Sequence, residues 1–141
     1  MSASKLKLYW RLQLAAHFLQ KRADRDLLES GNVTTAQLGV IAVIGNGTDV
    51  TQKDVAVALG LNESAITAMV RRLIGLGYVE RQKSEHDGRA KLLNLTDDGH
   101  AIHQNTRPPF KKINNRIESV LDDTEIENLA DYLERLTETF R

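Results

Sequence analysis

Between Thr51 and Thr96 the sequence runs through a short capped helix, Gly60, a second helix, Gly77, a β-type segment, the charged turn Glu85-His86-Asp87-Gly88-Arg89, another β-type segment and a new cap at Thr96. Few architectures accept that order. Two short helices joined through a glycine make a helix-turn-helix. Two strand-like stretches around a polar turn make an antiparallel hairpin. Joined in this order they form a winged helix-turn-helix. Its second helix is of a size to enter a major groove of duplex DNA, and its ribbon tip reaches the backbone or the neighbouring minor groove.

The flanking sequence is helical. Leu8, Leu12, Ala15, Ala16, Leu19, Ala23 and Leu27 recur at three- and four-residue steps, so Leu6 to Leu28 reads as one long helix ended by Gly31-Asn32. Thr34, with Gln37 as capping-box partner, opens a second helix that stops at Gly45-Asn46-Gly47. Thr51 with Asp54 starts the third, and Asn62 caps the fourth, whose core stripe is Ala65, Ile66, Met69, Val70 and Leu73. Thr67, Ala68, Arg71 and Arg72 fall on its other side. Tyr78–Gln82 and Ala90–Leu95 read as the two strands. Thr96 caps a fifth helix, with Asp97 and Asp98 at the positive end of its dipole. Pro108-Pro109 should kink or break this segment, because proline removes a backbone donor and crowds the preceding turn. Asp122 and Glu125 cap a last helix with the face Ile126, Leu129, Leu133, Leu136 and Phe140. The expected fold is mainly α, an α+β winged helix-turn-helix of about six helices with a small β-hairpin wing. Three segments follow: 1–33, 34–95 as the reading lobe, and 96–141. The end helices carry more apolar surface than the small lobe covers, and the commonest cover is a second copy. Leu8, Leu12, Ile113, Ile117, Val120, Leu121, Leu129, Leu133, Leu136 and Phe140 are the candidates for that dimerisation region.

Composition narrows the function classes. At 141 residues, 41% hydrophobic and 27% charged, the chain has the make-up of one globular domain. No apolar run approaches the roughly 18–20 residues of a membrane span. Met1-Ser2-Ala3-Ser4-Lys5 leads into an amphipathic stretch rather than a signal core, so a cytoplasmic protein with no membrane partner is expected. The absence of cysteine excludes thiol redox sensing, disulfides and Cys-ligated metal. Net charge is zero, yet Arg71, Arg72, Arg81, Lys83, Arg89 and Lys91 cluster against only Glu80, Glu85 and Asp87. Acids dominate from Glu118 onward, facing Arg135 and Arg141 alone. One face is thus suited to phosphate and another is turned away from it. No Ser/His/Asp arrangement, glycine-rich phosphate loop or carboxylate pair stands out, so neither an enzyme nor a cofactor is expected.

Several stretches together resemble the MarR family of winged-helix transcription regulators: Thr35-Ala36-Gln37-Leu38, Thr51-Gln52-Lys53-Asp54-Val55-Ala56, Leu59-Gly60-Leu61, Gly77-Tyr78-Val79-Glu80-Arg81, Asp87-Gly88-Arg89-Ala90-Lys91 and Leu95-Thr96-Asp97-Asp98-Gly99. The resemblance covers nearly the whole chain. It implies a homodimer with intertwined N- and C-terminal helices, each protomer presenting its fourth helix to a major groove and its wing to a minor groove of a pseudo-palindromic operator. It also implies a regulator, most often a repressor, released by a small aromatic or phenolic effector. Two positions depart from the pattern: many members carry Arg where this chain has Ala68, and Asp where it has Arg71.

The candidate DNA contacts follow from both readings. The resemblance sends Arg89 into the minor groove, with Asp87 orienting it. Lys91, Lys83, Ser84 and His86 are candidate phosphate contacts. Ser64, Thr67, Ala68, Arg71 and Arg72 lie where the major groove would be, although Thr67 also suits simple back-bonding within its helix. Thr51, Gln52 and Lys53 begin a helix whose free N–H groups suit phosphate, while Thr51 is equally explained as a cap. An effector pocket would draw on Tyr9, Trp10, Gln13, His17, Ile41, His103 and Arg107. Two alternatives stand beside this reading. One is a winged-helix protein–protein module without DNA specificity. The other is a zinc-responsive regulator using His100 and His103, but with only His17 and nearby acids to complete a site the expected metal is none.

Overall fold

The computed structural model describes residues 7–83 and 91–141. Helix α1 (Leu8–Gly31) ends where Asn32 takes the left-handed conformation, φ 54°. Helix α2 (Thr35–Asn46) opens on a full capping box. The Thr34 hydroxyl accepts from Gln37 N–H, and the Gln37 side chain accepts from Thr34 N–H. Helix α2 buries Gln37, Leu38, Val40, Ile41 and Ile44, more of its circumference than one amphipathic stripe. That makes it the hub, packed against α1, α3 (Gln52–Leu59), α4 (Glu63–Gly75), the strand β2 (Lys91–Leu95) and α5 (Asp97–Asn105).

Around α2 a continuous core gathers Leu27, Val33, Val50, Val55, Ile66, Val70, Leu73, Val79, Leu93 and Leu95. The α4 stripe reads as expected: Ile66, Val70 and Leu73 are buried, while Ala68, Arg71 and Arg72 are exposed. Strands β1 (Val79–Lys83) and β2 pair antiparallel, from Val79 opposite Leu95 to Lys83 opposite Lys91. A bridge the sequence did not signal adds Val50, whose carbonyl accepts from Leu93 N–H at 2.8 Å. The ribbon root is therefore held on both sides of β2.

The junction from ribbon to α5 is tightly built. Thr96 accepts from Gly99 N–H, donates its hydroxyl to the Gly77 carbonyl at 2.6 Å, and donates its own N–H to the Tyr78 carbonyl. Gly99 packs directly on that chain: a Cβ there would lie 2.0 Å from the Tyr78 oxygen. Only glycine lets α5 approach this closely.

The proline-bearing segment breaks as expected. Helix α5 ends at Asn105, and α6 (Arg107–Ser119) restarts after Thr106, with Pro108 and Pro109 in its first turn. There the missing donors leave no helical bond unmade. Buried Thr106 stitches the junction by donating its hydroxyl to the Ile102 carbonyl at 2.8 Å. The described residues thus hold seven helical segments, or six if α5 and α6 count as one broken helix. The last, α7 (Asp123–Phe140), opens on the Asp122–Glu125 capping box and has no buried residue. Among the described residues, no single helix is long and apolar enough to cross a membrane.

Candidate nucleic-acid interface

The outer face of α4 presents Ser64, Thr67, Ala68 and Arg71, spaced at three and four residues and so aligned along one side. Local bonds already occupy part of that chemistry. The Ser64 hydroxyl donates to Asn62 Oδ1 at 2.8 Å, and the same oxygen caps the helix by accepting from Ala65 N–H. The Thr67 hydroxyl donates to the Glu63 carbonyl at 2.9 Å, so the back-bonding expected of a mid-helix threonine is present. Ala68 and Arg71 are exposed, as is Arg72 one position further round.

At the start of α3 the capping bonds form. Thr51 is engaged as a cap: its hydroxyl accepts from Asp54 N–H, and Asp54 Oδ2 accepts from Thr51 N–H at 2.9 Å. The bond from the Thr51 backbone, then that from its hydroxyl, hold the Asp54 carboxyl below its ordinary pKa. The Asp54 carboxylate lies at the helix end that a phosphate would approach, and the Thr51 and Asp54 N–H groups are already bonded. Gln52 is engaged as well. Its Nε2 donates to Thr67 Oγ1 at 3.0 Å and its Oε1 accepts from Arg81 Nη2 at 2.9 Å, so its amide joins protein elements rather than facing solvent alone. Lys53 stays exposed.

The ribbon carries the clearest electrostatic sign. Lys83 and Lys91 are direct cross-strand partners at its outer described end. Like charges opposite one another weaken a sheet, so this pair costs stability unless an anion meets it. The sequence counted Arg81 only within the basic cluster, and it did not signal the bond from Arg81 to Gln52 or the pairing of the two lysines, which tertiary packing and strand register set. Ser84, His86, Asp87 and Arg89 lie outside the described residues.

The residues expected to form an effector pocket do not come together in the protomer. His103 and Arg107 do share a cleft of about 560 Å³ between α2 and the α5–α6 junction, with Leu38, Gly39, Ala42, Phe110 and Lys111. Ile41 is fully buried in the core and offers that cleft no surface. A helical period marks it as apolar but cannot say whether it faces core or cavity. Tyr9, Trp10, Gln13 and His17 sit on the exposed first half of α1, where Tyr9 packs edge-on to Trp10 and His17 to Phe18. The His103 imidazole has its pKa lowered, first by burial and then by the charges of Arg107 and His100. Among the described residues, no three His, Asp or Glu side chains converge as metal ligands.

The dimerisation candidates divide by position. Ile113, Ile117 and Leu121 are half-buried, whereas Leu8, Leu12, Val120, Leu129, Leu133, Leu136 and Phe140 are exposed. A second hollow, about 740 Å³, runs between α1 and α6, with Phe18, Leu19, Ile113, Ile117 and Val120 as its apolar wall and Lys21, Arg22, Arg25 and Arg116 around it.

Comparison with known proteins gives this geometry a family. A profile described as MarR family matches residues 32–90, the stretch from just before α2 through β1 to the residue before β2. The multiple antibiotic resistance protein MarR of Escherichia coli is 32% identical over 89 residues, covering 61% of this chain and 62% of that protein. A crystal structure of a mutant of E. coli MarR complexed with operator DNA superposes with a TM-score of 0.77 at 25% identity, covering 92% of this chain and 96% of that one. The PcaV transcriptional regulator from Streptomyces coelicolor, solved with its natural ligand, gives 0.80 at 26% identity over 95% of this chain and 92% of PcaV. A MarR family regulator from the same organism, solved in complex with DNA, shares the fold at a TM-score of 0.90 and 19% identity, over 100% of this chain and 94% of that one. The chain therefore carries a MarR family segment over residues 32–90, on a winged-helix fold shared along nearly its whole length with MarR family transcriptional regulators.

Proposed function

We propose that the chain acts as a homodimer that binds a pseudo-palindromic operator in the cytoplasm and represses transcription until a small aromatic acid releases it. The observation that carries the DNA-binding part is the Lys83–Lys91 pair opposed on a ribbon beside the exposed Ala68–Arg71 face of α4. Phosphate neutralisation offsets the repulsion between the lysines and supplies salt-dependent affinity. Residues 34–95 serve as the reading lobe, with Arg89 and Lys91 at the wing and Ser64, Thr67, Ala68 and Arg71 at the major groove. Ala68 meets a thymine methyl and Arg71 a guanine edge. Segments 1–33 and 96–141 form the assembly region. The exposed apolar stripe of α7 and its acidic flanks, Glu127, Asp131 and Glu134, complement the apolar, arginine-bordered hollow between α1 and α6. The α2–α6 cleft suits the effector, with Arg107 and Lys111 for a carboxylate and Leu38, Ala42 and Phe110 for a ring.

Selection of bound duplexes from a random pool, with and without aromatic carboxylates, tests the reading. Two half-sites with centres about one helical turn (~10 bp) apart are expected, and carboxylate should lower retention. Arg89→Ala should sharply weaken binding and leave dimerisation intact. A pool that shows no enrichment at low salt would overturn the assignment.

A further inference from the structure

We infer that Arg81 and Gln52 are positioning residues that fix the recognition helix against the ribbon, acting through Thr67 rather than on DNA. The inference rests on the DNA-binding reading above. Three bonds carry it. Arg81 Nη2 on β1 donates to Gln52 Oε1 at 2.9 Å, Gln52 Nε2 at the start of α3 donates to Thr67 Oγ1 at 3.0 Å, and Thr67 Oγ1 on α4 donates to the Glu63 carbonyl at 2.9 Å.

The chemistry of each group gives the relay one direction. A guanidinium only donates, so Gln52 must turn its carbonyl oxygen to Arg81. That leaves the amide NH₂ facing Thr67, which must accept, and the threonine proton must go to Glu63. Flipping the Gln52 amide would set NH₂ against guanidinium, donor against donor. The cation on β1 therefore orients a hydroxyl in the middle of the reading face. The Thr67 proton is unavailable to a base or phosphate, and the exposed methyl of Ala68 follows it in sequence. The centre of α4 becomes an apolar reader of thymine methyls, flanked by Ser64 and Arg71. Two of these bonds tie β1, α3 and α4 together, so helix and ribbon meet DNA as one rigid piece. These residues lie 29 and 15 positions apart in sequence, which gives the link a tertiary rather than a local origin.

Wild type, Gln52→Ala, Arg81→Ala and the double variant are compared on a selected duplex, on its single-base substitutions and across a salt series. Each single variant should lose about tenfold on the preferred duplex, and the double no more than either single, as expected of coupled groups. Discrimination at the base pairs facing Ala68 should flatten, and the salt slope should match wild type. If instead Arg81→Ala lowers the slope by about 0.9 and the two losses multiply, Arg81 is a phosphate contact and the relay is overturned. Unchanged discrimination in both variants overturns it as well. Amide hydrogen exchange on free protein supplies an arm independent of DNA. Arg81→Ala should speed exchange in the first turns of α4 while α2 stays protected, and unchanged α4 protection refutes the relay even if wild type retains no duplex. Failure of wild type alone to bind counts against the DNA-binding reading, not against the relay.

Discussion

The reading lobe and the end helices use the same kind of amphipathic helix to different ends. In the lobe, α2, α3 and α4 turn their stripes onto one core, and Ile41, Val55, Ile66, Val70 and Leu73 have no exposed surface. In α7 an equally regular stripe is left largely uncovered among the described residues: Leu133 and Leu136 remain more than 40% exposed and Phe140 84%. The first half of α1 behaves likewise, with Trp10 at 69%. Periodicity creates a face, but the chain's own neighbours decide whether that face is filled. A lobe that satisfies itself is a folding unit. Helices that do not satisfy themselves leave apolar surface for the proposed dimer to cover.

That contrast breaks most readily by truncating one leucine from each region. Leu73→Ala should destabilise the lobe by about 2–5 kcal/mol, the cost of a buried leucine cavity, independent of protein concentration. Leu133→Ala should instead act on assembly. Each copy loses about 1.5–3 kcal/mol of burial and a two-fold dimer loses it twice, so its dissociation constant should rise at least about a hundredfold. Sedimentation and denaturant unfolding at several concentrations separate the two. A concentration-independent loss for Leu133→Ala would erase the distinction.

Gly99→Ala sharpens the boundary between the regions, because α5 joins the lobe to the helices beyond it. A methyl placed 2.0 Å from the Tyr78 oxygen must push α5 off the ribbon root, at a cost of about 1–3 kcal/mol. Thermal unfolding reads the loss. Near-wild-type stability would mean the junction is looser than its packing implies.

The smallest effect is that of pH. Burial lowers the His103 pKa in the folded chain, so the unfolded chain binds its proton more readily. The stability this histidine contributes is fully present above its ordinary value of 6.5 and is lost as pH falls from there toward the folded value. Wild type should therefore lose more melting temperature than His103→Gln between pH 7.5 and pH 5.5, about one unit either side of that ordinary value. Parallel losses would show that the cleft leaves the imidazole solvated.

Much of the fold was legible because its signals are local. The capping boxes Thr34–Gln37, Thr51–Asp54 and Asp122–Glu125 each close over three residues, and all three form as read. Gly60 and Gly77 adopt the left-handed backbone that ends a helix, and the chain breaks ahead of Pro108. The site was legible in part. The outer face of α4 follows from helical period alone, so Ala68 and Arg71 were placed on the exposed side. Thr51 was legible as a cap through its neighbour Asp54, whereas the bonds from Gln52 to Thr67 and Arg81 reach across the fold and carry no local signal. Ile41 shows the limit of period at the α2–α6 cleft, where apolar character could not distinguish lining from core.

What the sequence by itself determined was the order of elements, their ends and their faces, since these depend on residues within one or two turns of each other. Only the tertiary structure decided which distant groups meet: Val50 with Leu93, Asp24 with Thr35, Arg81 with Gln52 and Thr67. The physical reason lies in chain closure. A contact across a long loop forms only after packing has made up its entropy, and packing depends on the whole core rather than on the residues that touch.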